Sequence, residues 1–208
     1  MKFKYLTNTF GLIAMAASVA MTSCSSNEKD IAGSWIGGEE RLFLNQESLA
    51  NCQATSRFTF TPDQGSNDEG KIDIVTDVVI QDAVPSNDSI VSTYEITVTG
   101  TAKISGTYVF EDDDDIIITL DSKTLDIAVD PEGVAFASNV ITDQETPAVE
   151  PLSRKDLATK YSRQLRGAVT ELYGRYVKID DVKIHDATMS CEIQDKPCSL
   201  RRIDNSSK

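Results

Sequence analysis

Four thiols, one imidazole and several clusters of carboxylates are the groups in this 208-residue chain that chemistry could use. The imidazole is His185, with Asp180, Asp181 and Asp186 close to it in sequence. A lone histidine at the end of a short strand offers neither a conventional triad nor a histidine-rich metal site. Cys52, Cys191 and Cys198 lack paired zinc-type spacing, and a catalytic thiol among them would need a basic neighbour that only His185 supplies. Cys191 and Cys198 flank Gln194-Asp195-Lys196-Pro197, a spacing that lets them face each other across a hairpin and close a disulfide, leaving Cys52 free. Pairing of Cys52 with either of them stays open at this stage. The acidic stretch Glu111 to Asp115 and the segment Asp63 to Gly70 invite a calcium reading, but both lack the alternating ligand spacing of a calcium loop. Both read as solvated hairpin turns. With 33 acids in the chain, nothing singles out a pair poised for glycoside hydrolysis. The expectation is a protein without catalytic residues, bound metal or cofactor.

Charge narrows the partners. Acids outnumber bases 33 to 20, for a formal net charge of −13. Nucleic-acid binding needs a basic face, so nucleic acid is excluded as a partner. The charge is also uneven: residues 24 to 152 hold 25 acids and 6 bases, whereas residues 153 to 208 hold 8 acids and 12 bases. Lys155, Arg163 and Arg166 recur at helical spacing in the basic part. Such a face either meets lipid headgroups or an acidic partner, or packs over the acidic body and offsets its self-repulsion. The second reading is the expectation here.

The N-terminus reads as an address. Lys2 and Lys4 precede an apolar stretch from Gly11 to Met21, which is too short to span a bilayer and has the length of a secretory h-region. Met21-Thr22-Ser23-Cys24, followed by the polar run Ser25 to Asp30, resembles the lipobox of bacterial lipoproteins. That resemblance implies a signal peptide over residues 1–23 and diacylglyceryl and palmitoyl chains on Cys24. It also implies a lipidated tether over residues 24–30. Several acyl chains bury more methylene groups than the one that binds marginally, so the anchor would be stable. Ser25 stands where an inner-membrane lipoprotein often carries Asp, which points to the outer membrane, on its periplasmic or cell-surface side. Elsewhere no apolar run is long enough to cross a bilayer.

The body of the chain, residues 31–208, alternates with period two. Arg57 to Thr61 alternates polar and aromatic residues, and Ile72 and Ile74 continue the pattern. From Tyr94 to Phe110 the apolar residues fall on even positions: Tyr94, Ile96, Val98, Ala102, Ile104, Tyr108 and Phe110, with Gly100 and Gly106 in register. That is strand with one buried and one wet face, bent or bulged at Gly100. Ile116, Ile118 and Leu120, then Leu125, Ile127 and Val129, repeat it up to Pro131-Glu132-Gly133. One segment changes period. Ser153 and Asp156 read as a capping box, and Leu157, Tyr161, Leu165, Ala168 and Leu172 recur at three- and four-residue intervals before Gly174, predicting an amphipathic helix over 153–174. Short strands are predicted around residues 182–184, 189–193 and 198–203. About eight to ten short strands and one late helix predict a mainly β fold, an antiparallel up-and-down barrel with an inserted helix. A two-sheet β-sandwich is the alternative.

Gly33-Ser34-Trp35 at the start of the first strand is similar to the Gly-x-Trp of lipocalins. The hairpin Ile104 to Phe110, acidic turn, Ile116 to Leu120 resembles the middle of lipocalin-like domains in Gram-negative lipoproteins. The resemblance implies that Trp35 plugs one barrel end, covered by Arg201 or Arg202. It further implies a small apolar or amphipathic ligand held by inward residues such as Phe58, Phe60, Ile96, Ile104, Tyr108 and Ile118. The same six positions would fill a solid core, in which case the domain is a packed module for another envelope protein.

Overall fold

The computed structural model describes residues 31–44, 50–66, 68–85, 93–138 and 153–203. The predicted signal peptide and tether, with Cys24, lie outside the described residues. Among the described residues, nine strands and one α-helix follow in the order β1 (Gly33–Leu42), β2 (Asn51–Pro62), β3 (Glu69–Pro85), β4 (Thr93–Phe110), β5 (Ile116–Leu120), β6 (Asp126–Ser138), α1 (Arg154–Gly174), β7 (Lys178–His185), β8 (Thr188–Ile193) and β9 (Lys196–Ile203). Eight of the strands close an antiparallel ring, β1-β2-β3-β4-β5-β7-β8-β9 and back to β1. The fold is therefore the expected up-and-down β-barrel with one inserted helix, and not a sandwich.

Strand β4 explains how both the ring and the insertion are accommodated. One edge pairs with β3 along its whole length. The other edge pairs with β6 through residues 94–103 and with β5 through residues 106–110. Strand β6 is thus a ninth strand beside the ring. Gly106 marks the junction, because a Cβ there would collide with the backbone of Thr119 and Leu120 on β5. Close approach of two backbones is a place where only glycine fits.

The even positions face inward as their alternation requires. Ile72, Ile74, Thr76, Val78 and Ile80 on β3 are buried, as are Tyr94, Ile96, Val98, Ala102 and Ile104 on β4. One cluster of buried apolar side chains runs from Ile31 to Leu200. Helix α1 packs onto this inward side. Leu165 sits against Gly100 of β4, Tyr173 reaches Thr76 of β3, and the contacts of α1 with β6 are its most extensive. Ser153 caps the helix by accepting from the Asp156 backbone N–H, an interaction of about 1 kcal/mol. The helix ends at Gly174 as predicted, but Gly174 is itself helical, at φ −61°, and the chain continues into a 3-10 turn, Arg175–Val177.

Two expectations need correction. Pro131-Glu132-Gly133 does not end its strand. Residues 130–133 bulge opposite the single residue Thr99, and β6 then resumes at Val134 opposite Val98. A bulge of this kind takes in proline and glycine without ending the pairing. The irregularity expected at Gly100 therefore lies on the partner strand, while β4 runs on unbroken. The acidic turn is also more than a solvated loop. The ring closes between β5 and β7 on only the pairs Ile116↔Ile179 and Ile117↔Lys178. Asp115 reinforces that seam by accepting from Lys178 Nζ at 3.0 Å and from the Asp181 N–H at 3.3 Å, while the Asp114 carbonyl accepts the Val182 N–H at 2.8 Å.

Candidate functional site

The first strand carries Gly37 and Gly38 in mid-course, and its pairing with β2 shifts register between Ile36 and Glu39. Glycine inside a strand often marks such a bulge. Facing this bulge, the β8–β9 hairpin turns through Gln194 and Asp195, both left-handed at φ 54° and 57°, the conformation of a tight two-residue connection. The 3-10 turn after α1 brings Arg175 and Tyr176 between them. Together they enclose a pocket of about 310 Å³. Its apolar lining includes Phe58, Ile193, Pro197 and Leu200, and the polar groups Glu40, Arg175, Tyr176 and Cys198 stand beside Glu39, Gln194, Lys196 and Ser199.

The polar groups are fixed by one another. Tyr176 is buried edge-on against Phe58, with ring centres 5.0 Å apart. Its O–H donates to Glu40 Oε1 at 2.6 Å and lies 3.1 Å from the Ser56 hydroxyl. Glu40 Oε2 pairs with Arg175 Nη1 at 3.2 Å. Inward from there, the Ser56 hydroxyl meets Thr76 Oγ1 at 2.9 Å, and Thr76 accepts from the Tyr173 O–H at 3.1 Å. Burial, and next the hydrogen bond to the Glu40 carboxylate, push the Tyr176 hydroxyl well above its ordinary value, so it stays a neutral donor. The arrangement presents an oriented carboxylate–guanidinium pair above an apolar floor. It can hold the polar head and apolar body of one small molecule.

The structure brings Cys191 and Cys198 directly opposite each other across β8 and β9, and their thiols hydrogen-bond. Both are free thiols in the structure. The bond from Cys191 holds Cys198 below its ordinary value, while that bond and burial push Cys191 up. Cys52 is buried between Leu42 and Ile80, and burial raises its thiol to about 11. His185 is exposed and stands opposite Thr188. Among the described residues, no three His, Cys, Asp or Glu side chains cluster in a way that could hold a metal ion.

No protein-family model, no curated protein and no solved structure matches this chain. Geometry alone therefore carries the functional argument.

Trp35 is fully buried, and its ring N–H donates to the Ile31 carbonyl at 2.7 Å. Of the two arginines the sequence offers, Arg202 covers it, with the guanidinium 4.4 Å from the ring centre and Nη1 donating to the Ala32 carbonyl at 3.3 Å. The six inward residues Phe58, Phe60, Ile96, Ile104, Tyr108 and Ile118 are 1 to 6% exposed and belong to the continuous core. Phe60 and Tyr108 pack edge-to-face at 5.2 Å. Phe58 also lines the Glu40 pocket. Lys155, Arg163 and Arg166, expected to offset the acidic body, lie on the helix that packs over the sheet. They are exposed beside a groove and make no ion pair with any described residue. Cations that form ion pairs with the body include Arg57 on Asp77, Lys160 on Asp82, Arg175 on Glu40, and Lys178 on Asp115 and Asp180.

The sequence did not single out Glu40, Arg175 and Tyr176. Glu40 lies more than 130 positions from the adjacent Arg175 and Tyr176, and only the paired glycines on β1 signalled that something approaches that strand.

Proposed function

We propose that this protein is a non-catalytic envelope lipoprotein, held by acyl chains on Cys24 in the outer membrane, whose lipocalin-like barrel binds a small amphipathic molecule in the Glu40 pocket. The observation that carries the reading is the pocket itself. About 310 Å³ of space lies over Phe58 and Leu200 with a fixed Glu40–Arg175–Tyr176 rim. Small-molecule sites combine a mostly apolar wall with a few placed polar groups in this way, at volumes from roughly 300 Å³ upward. In an oxidising envelope compartment, Cys191 and Cys198 would close a disulfide on the pocket's wall.

A second reading, a packed module that serves another envelope protein, is favoured by α1. Its Tyr161, Leu165, Val169, Leu172 and Tyr173 fill the inward side where a lipocalin would keep its ligand. The two readings separate in a titration of the ¹⁵N-labelled domain with a medium-chain carboxylate such as decanoate. Binding in the pocket predicts saturable amide shifts at Gly37, Gly38 and residues 194–200, with the β3 and β4 interior unmoved. An absence of saturable shifts at those positions would leave the packed module.

A further inference from the structure

Strand β6 pairs with β4 along one edge, and among the described residues no strand pairs with its other edge. A groove of about 630 Å³ runs there between β6 and α1. It is lined by five consecutive strand residues, 127–131, on the strand whose outer edge no described strand pairs. Across from them stand Lys155, Arg163 and Arg166, exposed and without an ionic partner among the described residues, in a chain whose net charge is −13. Strand β6 also carries the exposed acids Asp126, Asp130 and Glu132, of which Asp130 lines the groove.

We infer that the β6 edge takes up an extended segment of a partner protein that carries carboxylates at alternate positions. Backbone hydrogen bonds to the edge that no described strand pairs would supply the pairing, and alternate side chains of the added strand would point to one side. Carboxylates on the side toward α1 meet the three cations, and neutral residues on the other side avoid the acids of β6. An anionic bilayer fits less well, because a flat surface has no use for a groove along a strand edge. The inference is independent of the Glu40 pocket.

The test uses the full protein and a fluorescent peptide of about ten residues alternating Glu and Thr, followed by anisotropy. Three comparisons accompany it: a peptide of the same composition with Glu and Thr in separate blocks, the alternating peptide N-methylated at every second residue, and the Lys155→Gln, Arg163→Gln, Arg166→Gln variant. All three side chains are exposed, so the variant keeps its core. The expected result is binding of the alternating peptide that weakens at least tenfold in each of the three comparisons. Equal binding by the variant or the block peptide would overturn the charge pattern, and equal binding by the N-methylated peptide would overturn strand addition. Binding by the same cations to phosphatidylglycerol vesicles but not to the peptide would assign the face to lipid. Self-association by sedimentation that the variant abolishes, without peptide binding, would assign it to a second copy of this chain.

Discussion

At the residue scale the interior is held by phenols. Tyr161 donates to Asp82 Oδ2 at 2.6 Å, Tyr173 to Thr76, and Tyr176 to Glu40. In each case burial is the largest cause that lifts the hydroxyl above its ordinary value of 10.0, and Tyr173 reaches about 12. Tyr108 is raised as well, again mainly by burial. A raised phenol contributes stability that is complete below pH 10 and is lost as pH climbs toward the folded value, because the unfolded chain ionises first. Absorbance titration at alkaline pH should therefore show Tyr108, Tyr161, Tyr173 and Tyr176 ionising together with unfolding seen by circular dichroism. Smooth titration of every tyrosine near 10 with the fold intact would contradict the buried network. These phenols read from the sequence only as helix or strand core. Their partners lie 79, 97 and 136 positions away, and no local pattern encodes such distances.

At the element scale the barrel is weakest where β5 meets β7, a seam of two residue pairs stitched by Asp115. The hydrogen bond from Lys178 is the main cause that holds the Asp115 carboxyl below its ordinary 3.8. A lowered carboxyl contributes stability that is present above about pH 4 and is lost as pH falls through the folded value. Hydrogen exchange should accordingly find the Val182 amide, which donates to Asp114, opening faster at about pH 3 than the exchange chemistry alone predicts. Asp115→Asn should show the faster opening already at neutral pH and a flatter acid dependence. An unchanged pH profile would remove Asp115 from the seam. The even-position alternation made β4 legible from end to end, and the capping residues made α1 legible almost to the residue. Strand β3 beyond Ile74 and β6 beyond Val129 were not. Thr76 in the buried register, Val79 on the wet face and Pro131 in the bulge broke patterns that the neighbouring strands override by pairing.

At the scale of the whole molecule, a Trp35–Arg202 lid stands where the chain enters the barrel, and α1 fills the inward side of the sheet. The first described residue is Ile31, on the lid side, so an anchor at Cys24 would tether that end to the bilayer. If so, Cys24→Ala should move the protein from the membrane fraction to the soluble one, and unchanged partitioning would defeat the anchor. The sequence made the closed ring foreseeable because period-two strands at short spacing must cover their edges. It did not reveal that β6 would lie outside the ring, since only tertiary pairing decides which half of β4 each neighbour takes.

The central claim, a ligand held in the Glu40 pocket over a packed interior, is tested most directly by native mass spectrometry. The protein from Ser25 onward is purified from cells and compared with the Gly37→Phe variant. A Cβ at Gly37 would stand 3.5 Å from Leu200 of the pocket lining, an ordinary contact, so a side chain there starts inside the pocket. The account predicts a reproducible excess mass on the wild type that disappears on denaturation and is missing from the variant at unchanged Tm. A wild-type domain that stays empty after incubation with lipids and cell extracts, or a variant that keeps the excess mass, would contradict it.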